Sequence, residues 1–406
     1  MRSMTPFLFS VGIDAFGVAV PKTYVSLTTL AKARGVDPQK YLGGLGTELM
    51  GIAMPDEDTV TLAARAAHQA LASSSTRPED IGMLVVGTET AVDHSKPVAS
   101  FVQGLLGIGP RCRVFETKHA CYGGTAALQL AADWIRSGSA KGQKALVICS
   151  DIARYGLHTP GEPTQGAGAV ALLISSSPRL LALEPGQSGL CSMDVHDFWR
   201  PLYSKDALVD GHYSVQCYLD ALSGAYADYQ ANAGTPAAPG TLFSDRFAAF
   251  AYHVPYGKMA RKAHRQIRTL DGDPTPDESF ERLVGASLKL PSLVGNIYTG
   301  SLYLAVVSLL DGTKGDLTGQ RLGLFSYGSG ACAEFFSAVV QPGAQAAVQA
   351  LGLEATLARR RELSLEEYEA VMRTREALDE KPLDSAKSAF AFQGIAEHRR
   401  TYARPS

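Results

Sequence analysis

Short apolar runs alternate along the first part of the chain with longer segments whose apolar residues recur at helical spacing. Runs of strand length occupy residues 11–20, 81–86, 113–115, 145–149 and 170–174. Helical spacing is found at residues 59–72, 98–106 and 128–137. Buried strands that alternate with amphipathic helices indicate an α/β fold, and this pattern predicts a mainly parallel sheet with helices on its faces.

Segments rich in small residues separate these elements. Residues 43–46 (Gly-Gly-Leu-Gly) lack the Lys-Ser/Thr pair of a phosphate-binding loop and open no strong helix, so they predict a turn. Residues 161–169 predict a loop of small residues that leads into the strand at 170–174. Asp58 is expected to cap the helix at 59–72.

The second part of the chain repeats this organisation without a visible sequence repeat. A strand predicted at residues 322–325 ends in a Ser/Gly-rich turn, as strands of the first part end in turns rich in small residues. A chain of 406 residues is too long for one small core. We therefore predict an N-terminal half at residues 1–174 and a C-terminal half at residues 175–406.

Cys121 lies at a predicted corner between the strand at 113–115 and the helix at 128–137. Free main-chain N–H groups and the positive end of the helix dipole favour a thiolate there, and they could also hold an oxyanion on an acyl group attached to the sulfur. Gly123 and Gly124 are poor helix formers, and a ligand that approaches the backbone closely would explain them. The alternative is a buried, inert cysteine, which is the commoner fate of this residue.

Composition narrows the class of protein. The chain has 38 Lys and Arg against 40 Asp and Glu, a net charge of −2, which argues against an electrostatic nucleic-acid binder. The six cysteines form no Cys-x-x-Cys pair and no zinc spacing, so no metal site is predicted, and scattered thiols fit a reducing cytoplasm. No apolar run is long enough to span a membrane.

Three further polar residues follow or precede apolar runs, and each has an ordinary structural explanation. Glu89 follows the strand at 81–86, where α/β folds place chemistry, but taken alone it fits an exposed loop better. His253 follows an apolar run, and Asn296 precedes an apolar helix that it could simply cap. A stripe of basic residues after His253 is either a solvated helix face or a phosphate contact.

Taken together, these residues resemble the 3-hydroxy-3-methylglutaryl-CoA (HMG-CoA) synthase family of the thiolase superfamily, and most closely its bacterial mevalonate-pathway branch. The resemblance covers nearly the whole chain. The motifs that carry it, in order, are Val11-Gly12-Ile13-Asp14, Gly87-Thr88-Glu89, Ala120-Cys121-Tyr122-Gly123-Gly124-Thr125, Ala153-Arg154-Tyr155-Gly156, Gly161-Glu162-Pro163-Thr164-Gln165-Gly166-Ala167-Gly168, His196-Asp197-Phe198-Trp199-Arg200-Pro201 and the segments around His253, Asn296 and Ser329.

The resemblance implies a duplicated five-layer α-β-α-β-α fold, a homodimer and an acetyl-cysteine mechanism. Cys121 matches the nucleophile that accepts the acetyl group, and Glu89 matches the general acid/base. His253 matches the histidine that anchors acetoacetyl-CoA, and Asn296 matches a residue that helps to hold it. Ser329 matches the main-chain N–H that joins the N–H of Cys121 in an oxyanion hole.

The resemblance also implies less certain substrate-binding positions. These are the active-site residues Asp151, Tyr155, Asp197 and Tyr298, the glycine Gly328 beside Ser329, and the basic residues Lys258 and Lys262 near the CoA entrance. His119 is not a fixed feature of the family. It could be mistaken for the base that activates Cys121, and we expect only a minor role for it.

The implied reaction condenses acetyl-CoA with acetoacetyl-CoA and water to give HMG-CoA and CoA, without a metal or redox cofactor. One alternative is the polyketide β-branching enzyme, which takes its acetyl group from an acyl carrier protein. A thiolase or ketoacyl synthase is disfavoured by the context of Glu89 and by the loop at residues 162–165. A catalytically inactive binding protein is disfavoured because Cys121, Glu89 and His253 are all present.

Overall fold

The structure, a computed structural model, describes residues 10–204, 206–233, 240–374 and 390–404. Runs of β-branched and other apolar residues form most of the strands. They are β1 Gly12–Ala19, β2 Thr23–Ser26, β3 Leu49–Ile52, β4 Ile81–Gly87, β5 Arg113–Thr117, β6 Lys144–Ala153, β7 Gly166–Ser175, β8 Leu181–Ser192, β9 Phe198–Trp199, β10 Leu208–Val209, β11 Ala249–Tyr252, β12 Arg321–Gly328, β13 Cys332–Val340, β14 Arg361–Glu362, β15 Ala391–Ala396 and β16 Arg399–Ala403.

Helices connect many of these strands and cover their faces. They are α1 Leu27–Ala33, α2 Gln39–Leu45, α3 Thr59–Ser74, α4 Val98–Leu106, α5 Gly123–Arg136, α6 Gly211–Asn232, α7 Gly257–Leu270, α8 Phe280–Leu283, α9 Lys289–Val294, α10 Ser301–Gly312, α11 Ala344–Gln349, α12 Leu353–Ala358 and α13 Leu365–Thr374.

Two helix termini test predictions made from the sequence. Asp58 caps α3 as predicted, because its carboxylate accepts a hydrogen bond of 2.9 Å from the N–H of Thr61. The turn predicted at residues 43–46 is wrong, because residues 43–45 belong to α2. Gly46 ends that helix in the left-handed conformation with φ of 71°, so the last glycine of the run is the one that stops the helix.

The main sheet has nine strands in the order β11-β12-β13-β8-β1-β7-β6-β4-β5. Parallel pairing is limited to β4 with β5, β4 with β6, and β11 with β12; the other neighbours are antiparallel. The prediction of a mainly parallel sheet is therefore wrong. β6 returns to β7 through a loop without a crossover helix, and such a connection permits only an antiparallel neighbour.

The loop predicted at residues 161–169 is shorter than expected. Only residues up to 165 form a connection, and β7 begins at Gly166. Its first residues are Gly-Ala-Gly-Ala, which propensity disfavours in a strand. Burial overrides propensity here: all ten residues of β7 are buried, and small side chains are needed where neighbouring backbone packs closely.

The strands from β1 to β7 form one side of the fold. Leu84 of β4 packs with helices α3 and α4 on one face of the sheet, whereas Val85 packs with Leu128 of α5 on the other. Alternate residues of each strand therefore serve two different helical layers.

Helix α5 also contacts the strands of the second part. The hydroxyl of Thr125 donates a hydrogen bond of 2.8 Å to Ser326 of β12, and Tyr303 of α10 joins it at 2.7 Å. On the far face of β12, Phe325 packs against Tyr218 of α6, with ring centroids 5.3 Å apart. The nine-stranded sheet thus supplies two layers, with β4 to β7 on one side of α5 and α10 and β11 to β13 on the other. Together with the outer helices they form the five-layer arrangement that the resemblance implied.

The division at residues 174 and 175 stays a prediction. Strand β1 pairs with both β7 and β8, the latter through Gly12 with Ala182 and Ile13 with Leu181. Within the described residues, no helix is both long enough and apolar enough to cross a membrane.

Candidate active site

Cys121 lies in a tight corner between the end of β5 and the start of α5. Ala120 adopts a φ of 39°, a left-handed conformation that alanine rarely takes, and the N–H of Tyr122 donates a hydrogen bond of 3.0 Å to the carbonyl of His119. Helix α5 begins two residues later at Gly123. The corner holds the thiol immediately before a helix N-terminus, as the sequence predicted.

The two glycines of this corner serve packing within the protein. A Cβ atom on Gly124 would lie 2.4 Å from the sulfur of Cys149, and one on Gly123 would lie 3.1 Å from the carbonyl oxygen of Thr117. The sequence-based explanation, close approach of a ligand, is therefore not needed for either residue. Helix α5 approaches β5 and β6 so closely that only glycine fits.

The thiol of Cys121 points at the carboxylate of Glu89, which follows the end of β4. The sulfur donates a hydrogen bond of 3.1 Å to Oε1 of Glu89. Parallel pairing of β4 and β5 brings their carboxyl ends to the same edge of the sheet, and this pairing places the two residues together. Glu89 is thus part of the site and is only half-buried by surface area.

Burial changes the proton affinity of both groups. Removal of solvent, reinforced by the nearby Asp151, raises the pKa of Glu89 to about 8. Burial also raises the pKa of the Cys121 thiol well above its ordinary value, and the adjacent Glu89 adds to that effect. Desolvation and the neighbouring carboxylate therefore disfavour the thiolate that the sequence predicts at the helix start, and they act against the helix dipole.

Asp151, at the end of β6, fixes the segment that carries Glu89. Its Oδ1 accepts hydrogen bonds from the N–H of Glu89 at 2.9 Å and from the hydroxyls of Thr88 at 2.8 Å and Thr90 at 2.7 Å. Its Oδ2 accepts from the N–H of Thr299 at 3.1 Å and from its hydroxyl at 2.5 Å. Asp151 therefore joins the two halves of the chain behind Glu89.

His253 follows β11 and is almost completely buried, with 4% of its surface exposed. The main-chain N–H of His253 donates to the main-chain carbonyl of Phe325 at 2.7 Å. The main-chain carbonyl of His253 accepts from the hydroxyl of Tyr218 at 3.0 Å. Burial lowers the pKa of the imidazole to about 3, so the ring is neutral at physiological pH. A neutral ring carries one N–H donor.

Asn296 is held inside a short turn between α9 and α10. Its side-chain oxygen accepts from the N–H of Tyr298 at 2.9 Å and from the hydroxyl of Ser301 at 3.0 Å. The amide oxygen therefore shapes the turn ahead of α10. The alternative that Asn296 caps α10 is wrong, because Gly300 occupies the N-cap position of that helix.

Three aromatic side chains near Glu89 and Cys121 pack edge to face. Phe198 contacts Tyr298 with centroids 5.9 Å apart and Tyr155 with centroids 6.3 Å apart. Tyr298 is 1% exposed and has a φ of 44°, so surrounding contacts hold it in a rarely populated conformation. The structure thus brings Tyr155 and Tyr298 together, from the two halves of the chain.

The turn after β12 lies against the Cys121 corner. A Cβ atom on Gly328 would lie 2.5 Å from both the carbonyl oxygen of His119 and the nitrogen of Tyr122. The hydroxyl of Ser329 donates a hydrogen bond of 2.8 Å to the buried carboxylate of Asp197. Gly328 and Ser329 are therefore neighbours of the nucleophile.

Asp197 has three further donors around it. Its carboxylate accepts from the hydroxyl of Tyr327 at 2.7 Å, the N–H of Gly330 at 3.1 Å and the hydroxyl of Ser214 at 3.3 Å. Asp197 thus shapes the turn at residues 328–331, much as Asp151 shapes the segment of Glu89.

His119 lies beside Tyr122 and the turn at residues 328–331. Its ring packs edge to face against Tyr122 with centroids 5.9 Å apart, and burial lowers its pKa. Within the described residues its Nε2 has no hydrogen-bond partner. The hydrogen bond of the Cys121 thiol goes to Glu89, so the geometry gives His119 no part as the base.

The basic stripe on α7 divides into two kinds of side chain. Arg261 pairs with Glu281 at 2.7 Å and Arg265 pairs with Asp277 at 2.5 Å. Lys258 is exposed and Lys262 is half-exposed, and neither forms an ion pair within the described part of the chain. The two lysines predicted near the CoA entrance are therefore the cations of this stripe that remain available.

Sequence reasoning missed residues that act through their neighbours. Thr88, Thr90 and Thr299 carry no chemistry of their own, yet they surround Asp151. Arg200 stands out in the sequence only as part of a motif, and its guanidinium donates to the main-chain carbonyl of Glu89. A hydroxyl residue on each side of a candidate carboxylate, as in Thr88-Glu89-Thr90, is the signal that could have revealed this support.

A five-layer α/β fold with a cysteine and a carboxylate at the meeting point of its two parts defines a thiolase-like enzyme. The profile described as hydroxymethylglutaryl-coenzyme A synthase N terminal matches residues 8–178, and the corresponding C-terminal profile matches residues 181–276 and 274–391. The chain belongs to the HMG-CoA synthase family. The resemblance seen in the sequence motifs is confirmed, and a thiolase or ketoacyl synthase is excluded.

Individual relatives agree with this assignment. A hydroxymethylglutaryl-CoA synthase of Enterococcus faecalis is 42% identical over 365 residues, which cover 89% of this chain and 91% of the relative. The polyketide 3-hydroxy-3-methylglutaryl-ACP synthase PksG of Bacillus subtilis is 36% identical over 380 residues, which cover 90% and 89%.

Solved structures rank in the same way by sequence identity to this chain, with the CoA-bound enzyme above the carrier-protein-bound enzyme. The chain is similar to MvaS in complex with 3-hydroxy-3-methylglutaryl coenzyme A, with 50% identity, a TM-score of 0.94 and coverage of 98% of this chain and 99% of the other. It is also similar to the HMG synthase of the curacin biosynthetic pathway in complex with acetyl donor-ACP, with 33% identity, a TM-score of 0.90 and coverage of 97% and 99%.

Proposed function

We propose that this protein condenses acetyl-CoA with acetoacetyl-CoA and water to give HMG-CoA and CoA, as the HMG-CoA synthase of a mevalonate pathway. The observation that carries the proposal is the 3.1 Å hydrogen bond between the thiol of Cys121 and the carboxylate of Glu89, in a chain of this family. The pair joins a nucleophile to a base whose pKa of about 8 suits proton transfer near neutral pH.

The first step forms an acetyl-enzyme. The sulfur of Cys121 attacks the carbonyl carbon of acetyl-CoA and the carboxylate of Glu89 accepts the thiol proton. The CoA thiolate leaves and takes that proton from Glu89, which returns to the carboxylate form. Because burial raises the pKa of the thiol, a base in direct contact speeds this step. The acetyl group remains as a thioester, and its methyl protons are acidified.

The second step forms the new carbon–carbon bond. Glu89 removes a methyl proton, and the N–H groups of Cys121 and Ser329 hold the enolate oxygen. The enolate carbon attacks the ketone of acetoacetyl-CoA, which the neutral ring of His253 polarises through its N–H and Asn296 helps to hold. Glu89 then protonates the new alkoxide, and water cleaves the Cys121 thioester to release HMG-CoA.

The remaining polar residues support these steps. Tyr155 and Tyr298 line the space beside Cys121, while Asp151 and Asp197 fix the Glu89 segment and the turn at residues 328–331. Lys258 and Lys262 bind the phosphates of CoA. No metal or redox cofactor is part of the proposal, so activity should survive treatment of the enzyme with EDTA.

Release of free CoA from acetyl-CoA and acetoacetyl-CoA by the purified protein tests the function. Mass spectrometry should show a Cys121 adduct of one acetyl group when acetyl-CoA is supplied alone. An enzyme that ignores acetyl-CoA but accepts an acetyl-carrier protein would instead be the polyketide type. Identity to MvaS of 50%, against 33% to the curacin enzyme, favours the CoA-dependent reaction. A protein that gains no acetyl group from either donor would be an inactive binding protein.

We also propose that the protein works as a cytoplasmic homodimer. The six free cysteines suit a reducing compartment, and β5 leaves one edge of the main sheet open next to the Cys121 corner. Light scattering after gel filtration should give twice the mass of the 43.1 kDa chain, and a monomer mass would contradict this assembly.

A further inference from the structure

Gln165 connects two of the proposed substrate-binding residues through their main chains. The side-chain oxygen of Gln165 accepts a hydrogen bond of 3.0 Å from the main-chain N–H of Tyr155. Its main-chain carbonyl oxygen accepts one of 3.3 Å from the main-chain N–H of Asn296. Tyr155 follows β6 and Asn296 follows α9, so a single residue holds segments from both halves of the chain.

The amide of Gln165 is buried and all its polar atoms are used. Only 2% of the residue is exposed, and the side-chain nitrogen donates to the carbonyl of Glu162 at 3.0 Å and to the hydroxyl of Tyr368 at 2.8 Å. An isosteric apolar side chain would leave the N–H of Tyr155 without its acceptor in the interior, which is costly. The geometry therefore requires an amide at this position.

Close backbone packing transmits the position of Gln165 to Asn296. A Cβ atom on Gly166 would lie 2.5 Å from the carbonyl oxygen of Asn296, and one on Gly295 would lie 2.3 Å from the carbonyl oxygen of Gln165. These two glycines also form an isolated β-bridge. Without free space between the segments, a displacement of Gln165 displaces Asn296 as well.

Helix α13 supports Gln165 from behind. The hydroxyl of Tyr368, which is fully buried, contacts the carboxylate of Glu162 at 3.2 Å in addition to Gln165. Arg34 holds the same carboxylate with two hydrogen bonds of 2.8 and 2.9 Å and pairs with Glu369 of α13 at 2.8 Å. Helix α13 is thus linked to the active site through two consecutive buried contacts.

We propose that Gln165, supported by Tyr368, is a positioning residue that sets Tyr155 and Asn296 for the second substrate, acetoacetyl-CoA. The inference rests on the proposed function, in which Asn296 helps to hold acetoacetyl-CoA, and it adds Tyr155 to the residues that position this substrate. Gln165 forms no hydrogen bond with residues 119–123 within the described structure, and it supports Tyr155 through the main chain alone. Its loss should therefore affect the condensation step far more than acetylation.

The test compares Gln165→Met with a matched control, Gln69→Met. Gln69 also bridges two main-chain segments, accepting from the N–H of Val18 at 2.7 Å and donating to the carbonyl of Leu351 at 3.4 Å, but it does so away from the site. We expect Gln165→Met to raise the KM for acetoacetyl-CoA by about tenfold or more, while the rate of Cys121 acetylation changes by less than about twofold. Gln69→Met should lower the Tm without altering KM.

Equal KM values for the two variants would overturn the proposal, and so would a loss of acetylation in Gln165→Met. If Gln165→Met does not fold, Tyr368→Phe keeps the test open, since it removes only the hydroxyl behind Gln165 and should raise the same KM by about two- to fivefold; an unchanged KM then overturns the proposal. Wild-type turnover is measured first, with acetyl-CoA and with acetyl-carrier protein, so that a wrong donor assignment is separated from a wrong role for Gln165.

Discussion

The thiol of Cys121 donates its hydrogen bond to Glu89, at 3.1 Å, and this contact raises the pKa of the sulfur rather than lowering it. A carboxylate beside a thiol disfavours the thiolate electrostatically, so the pair is poorly arranged to store a reactive anion. It is well arranged to pass a proton at the moment of attack. In the proposed mechanism, Glu89 is the base in contact with the nucleophile Cys121.

Replacement of Glu89 should separate the two halves of the reaction. Glu89→Ala or Glu89→Gln removes the acceptor of the thiol proton, but it also removes a group that raises the pKa of Cys121. The sulfur should therefore still be acetylated by acetyl-CoA, more slowly than in the wild type. Condensation should fall by about 10²–10⁴-fold, because no base remains for the methyl proton. Intact-mass measurement reports the acetyl group, and CoA release with both substrates reports turnover. Normal condensation by either variant would show that another residue is the base.

The pKa of Glu89, about 8, predicts the acid side of the pH profile. Below that pH the carboxyl group is protonated and cannot accept a proton, so kcat/KM should fall as the pH decreases from 8. His253, with a pKa of about 3, stays neutral and should add no inflection between pH 5 and pH 8. Pre-steady-state measurements of condensation by the acetyl-enzyme give the profile for this step alone. A rate independent of pH from 5 to 8 would contradict the assignment.

Much of the fold could be predicted from the sequence because burial imposes regular patterns. The strands at 81–86 and 322–325 lie within β4 and β12, and Asp58 caps α3. The pairing directions of strands were not predictable in this way, because β6 and β7 are equally apolar whether their neighbours are parallel or antiparallel. The turn predicted at 43–46 was wrong because a short helix can contain glycine where its neighbours stabilise it.

The reactive residues of the candidate site could be predicted from their residue types. The residues that support them could not. Cys121 and Glu89 were each plausible alone, but their contact depends on the pairing of β4 with β5. The protonation of the pair depends on burial, which the sequence does not reveal, so the sequence predicts a thiolate where burial favours the thiol. Gln165 acts only through main-chain contacts, for which no motif exists.

Asp151 should affect both the stability of the fold and the acidity of Glu89. In the wild type, several N–H and hydroxyl groups donate hydrogen bonds to the carboxylate of Asp151. Asp151→Asn replaces one acceptor oxygen with an NH₂ group, so some of these donors lose their acceptor. The protein should be destabilised by about 1–3 kcal/mol as a result. It also removes a negative charge that raises the pKa of Glu89, so the acid limb of the rate profile should move to lower pH. Urea unfolding and the pH profile of kcat/KM check the two effects. If the acid limb stayed at the wild-type pH, the charge of Asp151 would have no effect on the pKa of Glu89.

Gly328 should tolerate no side chain. In Gly328→Ala the new methyl group would lie 2.5 Å from main-chain atoms of His119 and Tyr122, so the turn or the Cys121 corner must move. We expect a loss of acetylation rate of at least about tenfold, because sub-ångström placement of the oxyanion donors is disturbed. Gly315→Ala is the control, since its new methyl group would have no atom of the described residues within 4 Å beyond its immediate chain neighbours. Similar acetylation rates in the two variants would separate Gly328 from the site.

The two lysines of α7 should bind the phosphates of CoA. Lys258→Ala with Lys262→Ala removes two cations that have no acidic partner in the described residues, and the KM for CoA thioesters should rise by about tenfold at low ionic strength. The effect should shrink as salt is added, because an exposed electrostatic contact is screened. Arg261→Ala with Arg265→Ala is the matched control on the same helix: those side chains are paired with Glu281 and Asp277, and their loss should leave KM nearly unchanged. If the arginine variant raised KM as much as the lysine variant or more, the lysines would not be the main phosphate contacts.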